Sequence, residues 1–319
     1  MNPTPLPKAL GRGIKLIKKG EYDLEMPNSF SFGPTIKDYF EAEHVEVKQT
    51  DVYGIQWQYF RLVFSGTVKF VIMDVHIGRS SSTILAIVSQ KGKDCMMGFL
   101  NMTNMALPNG LSFDTEWRFN SPPIAASVSL LVKDSDPKWV SYQCPYHPES
   151  FRRAQSYLKF FIPLEMQESR IRDHWITPSD PVTTFTNEAL GFVVDISLPI
   201  LDNFYPDKSI GSQAATIKAG LEQKREREVG ITKVVDISSG AYYAPAFLST
   251  LATTVEIKKR LPPGGVKWLF MRSEAKEIKN GRMSMEVAVY DEHMDLVALS
   301  QQLNLVIDIS RAMANKQKL

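Results

Sequence analysis

The strongest constraint on the fold of this chain is an internal repeat, in which two segments 203 residues apart follow the same pattern. The first copy, residues 68–90, reads as an apolar strand, a Gly-Arg turn at Gly78 and a second, alternating strand. The second copy, residues 266–291, repeats this order around Gly281. Solenoid repeats have periods of about 20 to 50 residues. The much longer spacing predicts two homologous domains in tandem.

The size and composition of the chain agree with this prediction. A length of 319 residues gives room for two domains of about 150 residues each, and we expect them at residues 1–150 and 151–319. The hydrophobic content of 44% and the charged content of 23% are those of a globular protein. The two cysteines, Cys95 and Cys144, are too few for a disulfide framework. We expect both to be buried thiols in a protein of a reducing compartment.

Several functional classes are disfavoured by the sequence. A net charge of +2 does not favour a nucleic-acid-binding protein, which needs a concentrated basic face. No apolar run approaches the ~18 residues of a membrane span, and the N-terminus lacks the apolar segment of a signal peptide. The last residues, Gln317 to Leu319, only half resemble a peroxisomal address. We therefore expect a soluble cytoplasmic protein, with a peroxisomal location as the alternative.

In the first half, the spacing of Ile36, Tyr39, Phe40 and Val45 predicts a helix over residues 34–47 with one apolar side. Alternating Val, Ile, Phe and Thr predict antiparallel strands over residues 56–105. The stretch from residue 106 to residue 182 is rich in proline and aromatic residues and should hold another strand or two and the connection between the domains.

The second half repeats the order of helix and strands. Residues 189–201 are apolar enough for a buried helix, and residues 212–229 predict a second helix that ends in a solvated charge run. Alternation then predicts four strands, at residues 249–259, 266–276, 282–291 and 296–309. Each half thus consists of a buried helix followed by an antiparallel meander. We predict an α+β fold in which each sheet wraps around its helix.

No standard catalytic motif is present, but one carboxylate stands out. The chain has no nucleophile elbow, Walker loop, dinucleotide fingerprint or zinc-protease motif, and its five histidines lack metal-ligand spacing. Asp195 lies in the apolar run from Gly191 to Leu201. Burial of a carboxylate is costly and raises its pKa toward the range of a general base. The alternative is that Asp195 faces solvent at a helix end near Pro199.

Thr250 and Gln302 are two further polar residues near apolar strand positions. Taken singly, each has the character of an ordinary surface or ladder residue of a strand. Together with Asp195 they supply an acceptor, a hydroxyl and an amide. This set of groups is suited to holding and activating a water molecule.

Several segments resemble the double hot-dog acyl-CoA thioesterases, including fungal thioesterase-like proteins and the bacterial thioesterase II group. The resemblance extends nearly end to end and is weakest between residues 106 and 182. The segments that carry it are residues 77–79, 88–90, 268–272, 279–283, 289–291 and 296–302. The resemblance implies a tandem hot-dog fold, in which each half is an antiparallel sheet around a central helix.

The resemblance also implies a site. In that family an Asp on the second helix, a Thr at the start of a later strand and a Gln late in the last strands orient the attacking water. Asp195, Thr250 and Gln302 match these residues, although Thr253 and Thr254 are close enough to exchange with Thr250. Neither a cofactor nor a metal is implied. The expected partner is an acyl-CoA or a carrier-bound acyl thioester.

These matches predict hydrolysis of a thioester by a water that Asp195 activates, with the acyl chain in an apolar slot between the halves. Backbone N–H groups around residues 33–36 are expected to stabilise the oxyanion. The charged insertion at residues 211–230 is expected to cap or narrow the site. Cations are expected to meet the phosphates of coenzyme A: Arg79, Lys258, Lys259 and Arg282.

Two other functions stay open at this point. The same scaffold and the same Asp195 would serve a cyclase, dehydratase or isomerase of polyketide metabolism. A non-catalytic protein that sequesters an acyl ligand would also fit, because a fold does not define a function. The acyl chain length, the carrier and assembly into a homo-oligomer are left open by the sequence.

Overall fold

The computed structural model describes residues 14–18, 21–26, 33–64, 66–107, 110–144, 153–205, 211–231 and 246–308. In these residues the strands form one open antiparallel sheet of 13 strands. The first half contains a helix and six strands: β1 (Ile14–Lys18), β2 (Glu21–Met26), α1 (Gly33–Glu43), β3 (Asp51–Tyr59), β4 (Gly66–His76), β5 (Ser82–Gln90) and β6 (Lys93–Thr103).

The remaining elements are three helices and seven strands: α2 (Val128–Val132), β7 (Trp139–Gln143), β8 (Leu158–Pro163), β9 (Ile171–Pro178), α3 (Leu190–Val193), α4 (Gln213–Glu228), β10 (Ala246–Ile257), β11 (Leu269–Lys279), β12 (Arg282–Tyr290) and β13 (Leu296–Asp308). Short 3-10 turns at Arg153–Tyr157, Asn187–Ala189 and Leu201–Phe204 connect some of them.

The strand order shows that the two halves are copies of one motif. Outward from the centre of the sheet, one side runs β3-β6-β5-β4-β2 and the other runs β10-β13-β12-β11-β9. The repeated Gly-Arg turn joins β4 to β5 in the first copy and β11 to β12 in the second. The α+β class and the tandem arrangement are therefore confirmed. The domain boundary at residue 150 stays a prediction, and β7, which precedes it, pairs with β8.

The two copies meet at β3 and β10, which pair over five residues from Gly54 to Gln58. One hydrophobic core continues across this seam and includes Ile36, Tyr39 and Phe40 of α1. Val45, predicted to share their apolar side, follows the end of α1 and is 65% exposed. The seam therefore places α1 and the helical segment of the second copy over one continuous sheet.

The helix of the second copy is shorter than predicted. We expected it over residues 189–201, but α3 ends at Val193 and an irregular segment follows. Pro199 lacks a backbone N–H and disfavours the helical conformation of Leu198, and β-branched Val194 and Ile196 favour extended backbone. Asp195 consequently lies in the turn after the helix and not within it.

The outer face of the second copy carries a separate aromatic cluster, which includes Trp139, Trp175 and Phe270. Beside it, the guanidinium of Arg272 donates to both carboxylate oxygens of Asp173 at 2.6 Å, with both residues buried. Two hydrogen bonds thus hold the ion pair together and offset part of the cost of burying its charges.

Helix α4 packs on the edge strand β7. The side-chain amide of Gln223 pairs with both the N–H and the C=O of Gln143 at 3.0 Å, as a neighbouring strand would. Arg227 anchors the end of the helix through Asp134 at 2.7 Å. The helix thereby covers an edge that would otherwise be open to pairing with another chain.

The predicted buried thiols, Cys95 and Cys144, are both buried, and neither is part of a disulfide. Among the residues that the structure describes, no helix is long and apolar enough to span a membrane.

Candidate active site

Asp195 lies where two cavities meet. The first cavity has a volume of about 300 Å³ and the second a volume of about 270 Å³. Ala154, Asp195 and Ile196 line both of them. Cavity space therefore reaches the carboxylate from two sides.

The environment of Asp195 favours its protonated form. Its side chain has exposed surface because the cavities open onto it, yet protein encloses the site closely enough that burial raises the pKa of the carboxyl. Among the described residues no cation forms an ion pair with it, and desolvation is the one cause of the shift. A carboxylate with a raised pKa and access to water is suited to act as a general base near neutral pH.

A β-bulge in β10 brings two threonines to the same face of the sheet. Thr250 pairs with Asn304 and Thr253 pairs with Gln302 in the neighbouring strand β13, with the register shifting between Thr250 and Ala252. Without the extra residue, side chains three positions apart would point to opposite faces. Thr254, the third candidate from the sequence, alternates to the other face.

The structure brings the three predicted residues to one place, because Asp195, Thr250 and Gln302 all line the second cavity. Gln302 is buried, and its Nε2 donates to the carbonyl of Val194 at 3.4 Å. This contact ties β13 to the turn that carries Asp195. Thr250 is engaged differently, since its hydroxyl donates to Oδ1 of Asn304 at 2.9 Å.

Thr253, named above as an alternative to Thr250, has a hydroxyl that no described group binds. It is buried opposite Gln302 and lines the first cavity together with Asp195. Its hydroxyl lies near the phenol of Tyr59, but the geometry falls short of a hydrogen bond. We therefore treat the Thr253 hydroxyl as able to bind a water or a ligand in the cavity.

Tyr59, which the sequence did not single out, comes from the first copy. It ends β3 and lines the first cavity. Burial raises its pKa, and the nearby charge of Asp195 adds to this effect. The phenol is therefore neutral and keeps a donor O–H within the electrostatic reach of Asp195.

The first cavity lies between the halves, where the sequence predicted an apolar slot. Ile36, Ile55 and Leu100 of the first copy face Phe192 and Val255 of the second across it. The apolar lining is of the kind that holds a hydrocarbon chain.

Charged pairs frame the same cavity. Lys37 of α1 donates to Glu188 at 3.0 Å, and Arg260 contacts Asp51 at 3.1 Å. Lys37, Glu188 and Asp51 all line the cavity. Each of these two pairs links the first copy to the second.

Other predicted groups lie elsewhere or stay untested. Helix α4 was expected to cap the site, but none of its residues lines either cavity in the part of the chain that the structure describes, because its polar side chains hold it on β7. Lys258 and Lys259 form ion pairs with acidic neighbours, whereas Arg79 and Arg282 are exposed. Gly33 and Ile36 border the first cavity, and their oxyanion role stays a prediction.

Comparisons with known proteins identify the family. A family model described as the acyl-CoA thioesterase C-terminal domain matches residues 123–306, which is more than half of the chain. The chain belongs to the acyl-CoA thioesterase family. The family assignment, together with the names of its relatives, makes the protein a thioester hydrolase in the broad sense.

Individual relatives agree with the family. The thioesterase-like protein TwmA of Talaromyces wortmannii is 25% identical over 286 residues, which cover 84% of this chain and 80% of the relative. A hot-dog protein of Alicyclobacillus acidocaldarius superposes with a TM-score of 0.60 at 11% identity, covering 92% of this chain and 95% of the other. The acyl-CoA thioesterase II TesB2 of Mycobacterium marinum superposes with a TM-score of 0.52 at 13% identity, covering 92% of this chain and 96% of the other. The likeness to these two solved structures supports the tandem hot-dog fold of this chain.

Proposed function

We propose that this thioesterase hydrolyses an acyl thioester, carried by coenzyme A or by a carrier protein, with a water that Asp195 activates. The observation that carries the proposal is the position of one carboxylate with a raised pKa at the junction of two cavities. A thioester bound across this junction would have its acyl chain on one side and its thiol half on the other. Its carbonyl carbon would then lie beside Asp195.

The proposed reaction needs one base and two groups that hold the water. Asp195 takes a proton as the water oxygen attacks the carbonyl carbon, and Thr253 and Gln302 orient the water. The tetrahedral intermediate then expels the thiolate as the C–S bond breaks. The proton on Asp195 passes to the thiolate, so that the products are a carboxylic acid and a free thiol.

Thr250 has a supporting part in this proposal. Its hydroxyl is bound to Asn304, one cross-strand pair away from Gln302. We assign it to orienting Asn304 and not to holding the water. Thr250→Val should therefore lower kcat less than Thr253→Val does.

The direct test is the release of thiol from acyl-CoAs of increasing chain length by the wild type and by Asp195→Asn. Removal of a general base should lower kcat by about 10²- to 10⁴-fold without unfolding the protein. A folded Asp195→Asn variant with wild-type turnover would refute the assignment. If the wild type releases no thiol but converts a carrier-bound substrate in an Asp195-dependent manner, the site performs proton transfer instead of hydrolysis.

A further inference from the structure

The first copy contributes a hydroxyl group to which the proposed reaction gives no role. Tyr59 is the last residue of β3 and alternates with Ile55 and Trp57 toward the first cavity, which all three line. Asp195 and Thr253 of the second copy line the same cavity. A phenol from one copy and a carboxylate from the other therefore face one space.

The hydroxyl of Tyr59 keeps its capacity to form hydrogen bonds. No described residue donates to it or accepts from it, because the nearby hydroxyl of Thr253 falls short of a hydrogen bond. An enclosed tyrosine hydroxyl usually has a hydrogen-bond partner. The phenol is thus able to bind a polar group of a ligand in the cavity.

The charge of Asp195 acts on this phenol although the two side chains form no hydrogen bond. Burial is the larger cause of the raised pKa of Tyr59, and the carboxylate of Asp195 adds to it. The two groups are close enough for an electrostatic effect and too far apart for direct contact. A reacting carbonyl group fits such a gap, because it needs the nucleophile on one side and a donor beside its oxygen.

The chemistry of the phenol limits what it can do there. Its pKa lies above the ordinary value of about 10, so it stays protonated and does not act as a base. For the same reason it does not give its proton to a departing thiolate, since a thiol with a pKa of about 8.5 is the stronger acid. Donation of a hydrogen bond remains. The group that gains negative charge during attack on a thioester is the carbonyl oxygen.

We propose that Tyr59 is a catalytic residue that donates a hydrogen bond to the carbonyl oxygen of the thioester and stabilises the oxyanion. This inference rests on the proposed function. As the water oxygen bonds to the carbonyl carbon, the C=O π electrons move onto the oxygen that the phenol holds. They return as the C–S bond breaks, and Tyr59 keeps its proton throughout. The donor supplements the backbone N–H groups expected around residues 33–36.

Tyr59→Phe removes the hydroxyl and keeps the ring that lines the cavity. Loss of one oxyanion donor should lower kcat by about 10²- to 10³-fold, with little change in KM, because the charge develops only in the transition state. Tyr53→Phe is the matched control on the same strand: its hydroxyl is bound to Ser81 at 3.1 Å, and Tyr53 is not among the described lining of either cavity. It should leave kcat unchanged. A folded Tyr59→Phe variant with wild-type kcat would overturn the proposal.

The pH profile distinguishes donation to the substrate from an effect on the base. The acid limb of kcat reports the protonation of Asp195 in the enzyme–substrate complex. Tyr59→Phe should lower the plateau and leave the limb at the same pH. A displaced limb with an unchanged plateau would show that Tyr59 only adjusts the pKa of Asp195, and would overturn the proposal.

A spectroscopic test separates this inference from the proposed function. The probe is decanoyl-CoA with a methylene group in place of the sulfur, a ketone that cannot be hydrolysed and whose acyl carbons match a cavity of about 300 Å³. Infrared difference spectra give the C=O stretching frequency of the ketone bound to the wild type and to Tyr59→Phe. A hydrogen bond from the phenol lowers this frequency, so the band should lie higher in the variant.

This shift would support the donor role of Tyr59 even if Asp195→Asn kept wild-type turnover and the proposed base had failed. The same frequency in both proteins would overturn the inference while leaving the role of Asp195 intact. Absence of binding to both proteins would overturn it as well.

Discussion

Gly191 offers a way to measure which cavity holds the acyl chain. It belongs to α3 and lines the first cavity, and a Cβ added there would contact only Cδ1 of Ile55, at an ordinary 3.8 Å. A larger side chain at this position would extend into the cavity without displacing backbone. Gly191→Leu should therefore fill the slot while the fold is kept.

The size of the effect follows from the volumes. Leucine adds four carbon atoms, and at about 30 Å³ each, the liquid volume of a water molecule, they occupy about 120 Å³. This is about two fifths of a cavity of about 300 Å³. The longest well-accepted acyl chain should therefore shorten by about four carbons. At about 0.8 kcal/mol per buried methylene, kcat/KM for that chain should fall by about 3 kcal/mol, or about two-hundred-fold.

The assay is kcat/KM against a series of straight-chain acyl-CoAs, with thermal unfolding as the measure of folding. Gly191→Ala should shift the preference by about one carbon and should stabilise the helix by about 0.4–1 kcal/mol. Gly264→Leu is the control, because Gly264 lies in an exposed turn with nothing within 4 Å of an added Cβ. An unchanged chain-length preference in a folded Gly191→Leu variant would refute the assignment of the slot.

Three further predictions concern ionisable groups. Enclosure raises the pKa of Asp195, so the folded state binds its proton more tightly than the unfolded state does. The stability of the protein therefore falls as the pH rises through the folded-state pKa of Asp195. Asp195→Asn should raise Tm at pH 7 while it lowers activity. Burial lowers the pKa of His174 to about 3, so stability should fall by up to about 1.4 kcal/mol per pH unit as the pH drops below about 6.5. His174→Phe should flatten that slope in denaturant titrations at pH 7 and pH 5, and an unaltered slope would count against it. Arg272→Met should cost about 3–5 kcal/mol by leaving Asp173 charged and unpaired, and the double variant with Asp173→Leu should recover most of this loss.

The periodicity of the sequence predicted the architecture because the packing of one strand face on the core produces the alternation, and the duplication repeats it in the second copy. Residues that alternate in burial along β5 do so because one face packs on the core, and the second copy repeats this alternation in the first six residues of β12, after which both faces are buried. The helix of the second copy was predicted too long because an apolar run does not distinguish a helix from a buried irregular segment. Local backbone preferences around Pro199 determined its end.

The site was harder to predict because the usual pattern of a strand is inverted there, with polar residues facing inward and an apolar residue facing outward. In β13 the alternation of leucines and amides suggests that Leu303 faces the core, yet Leu303 is 42% exposed and Asn304 is buried. The inward face at this end borders a polar cavity and not the apolar core. Thr253 was open to exchange with Thr250 because a bulge cannot be read from residue types, and Tyr59 gave no signal in the sequence.

The duplication explains why only one complete site is found among the described residues, and why it lies at the seam. Corresponding strands present different inward faces: β6 presents Leu100 and Met102, whereas β13 presents Gln302 and Asn304. The first copy thus supplies one apolar wall of the first cavity, and the second supplies the opposite wall together with Asp195 and the amides. Since β3 and β10 are hydrogen-bonded neighbours, the residues that the two copies contribute to the site lie on either side of one strand pair. Neither copy alone has both a slot and a base, so a change that separates β3 from β10 should abolish substrate binding and turnover together.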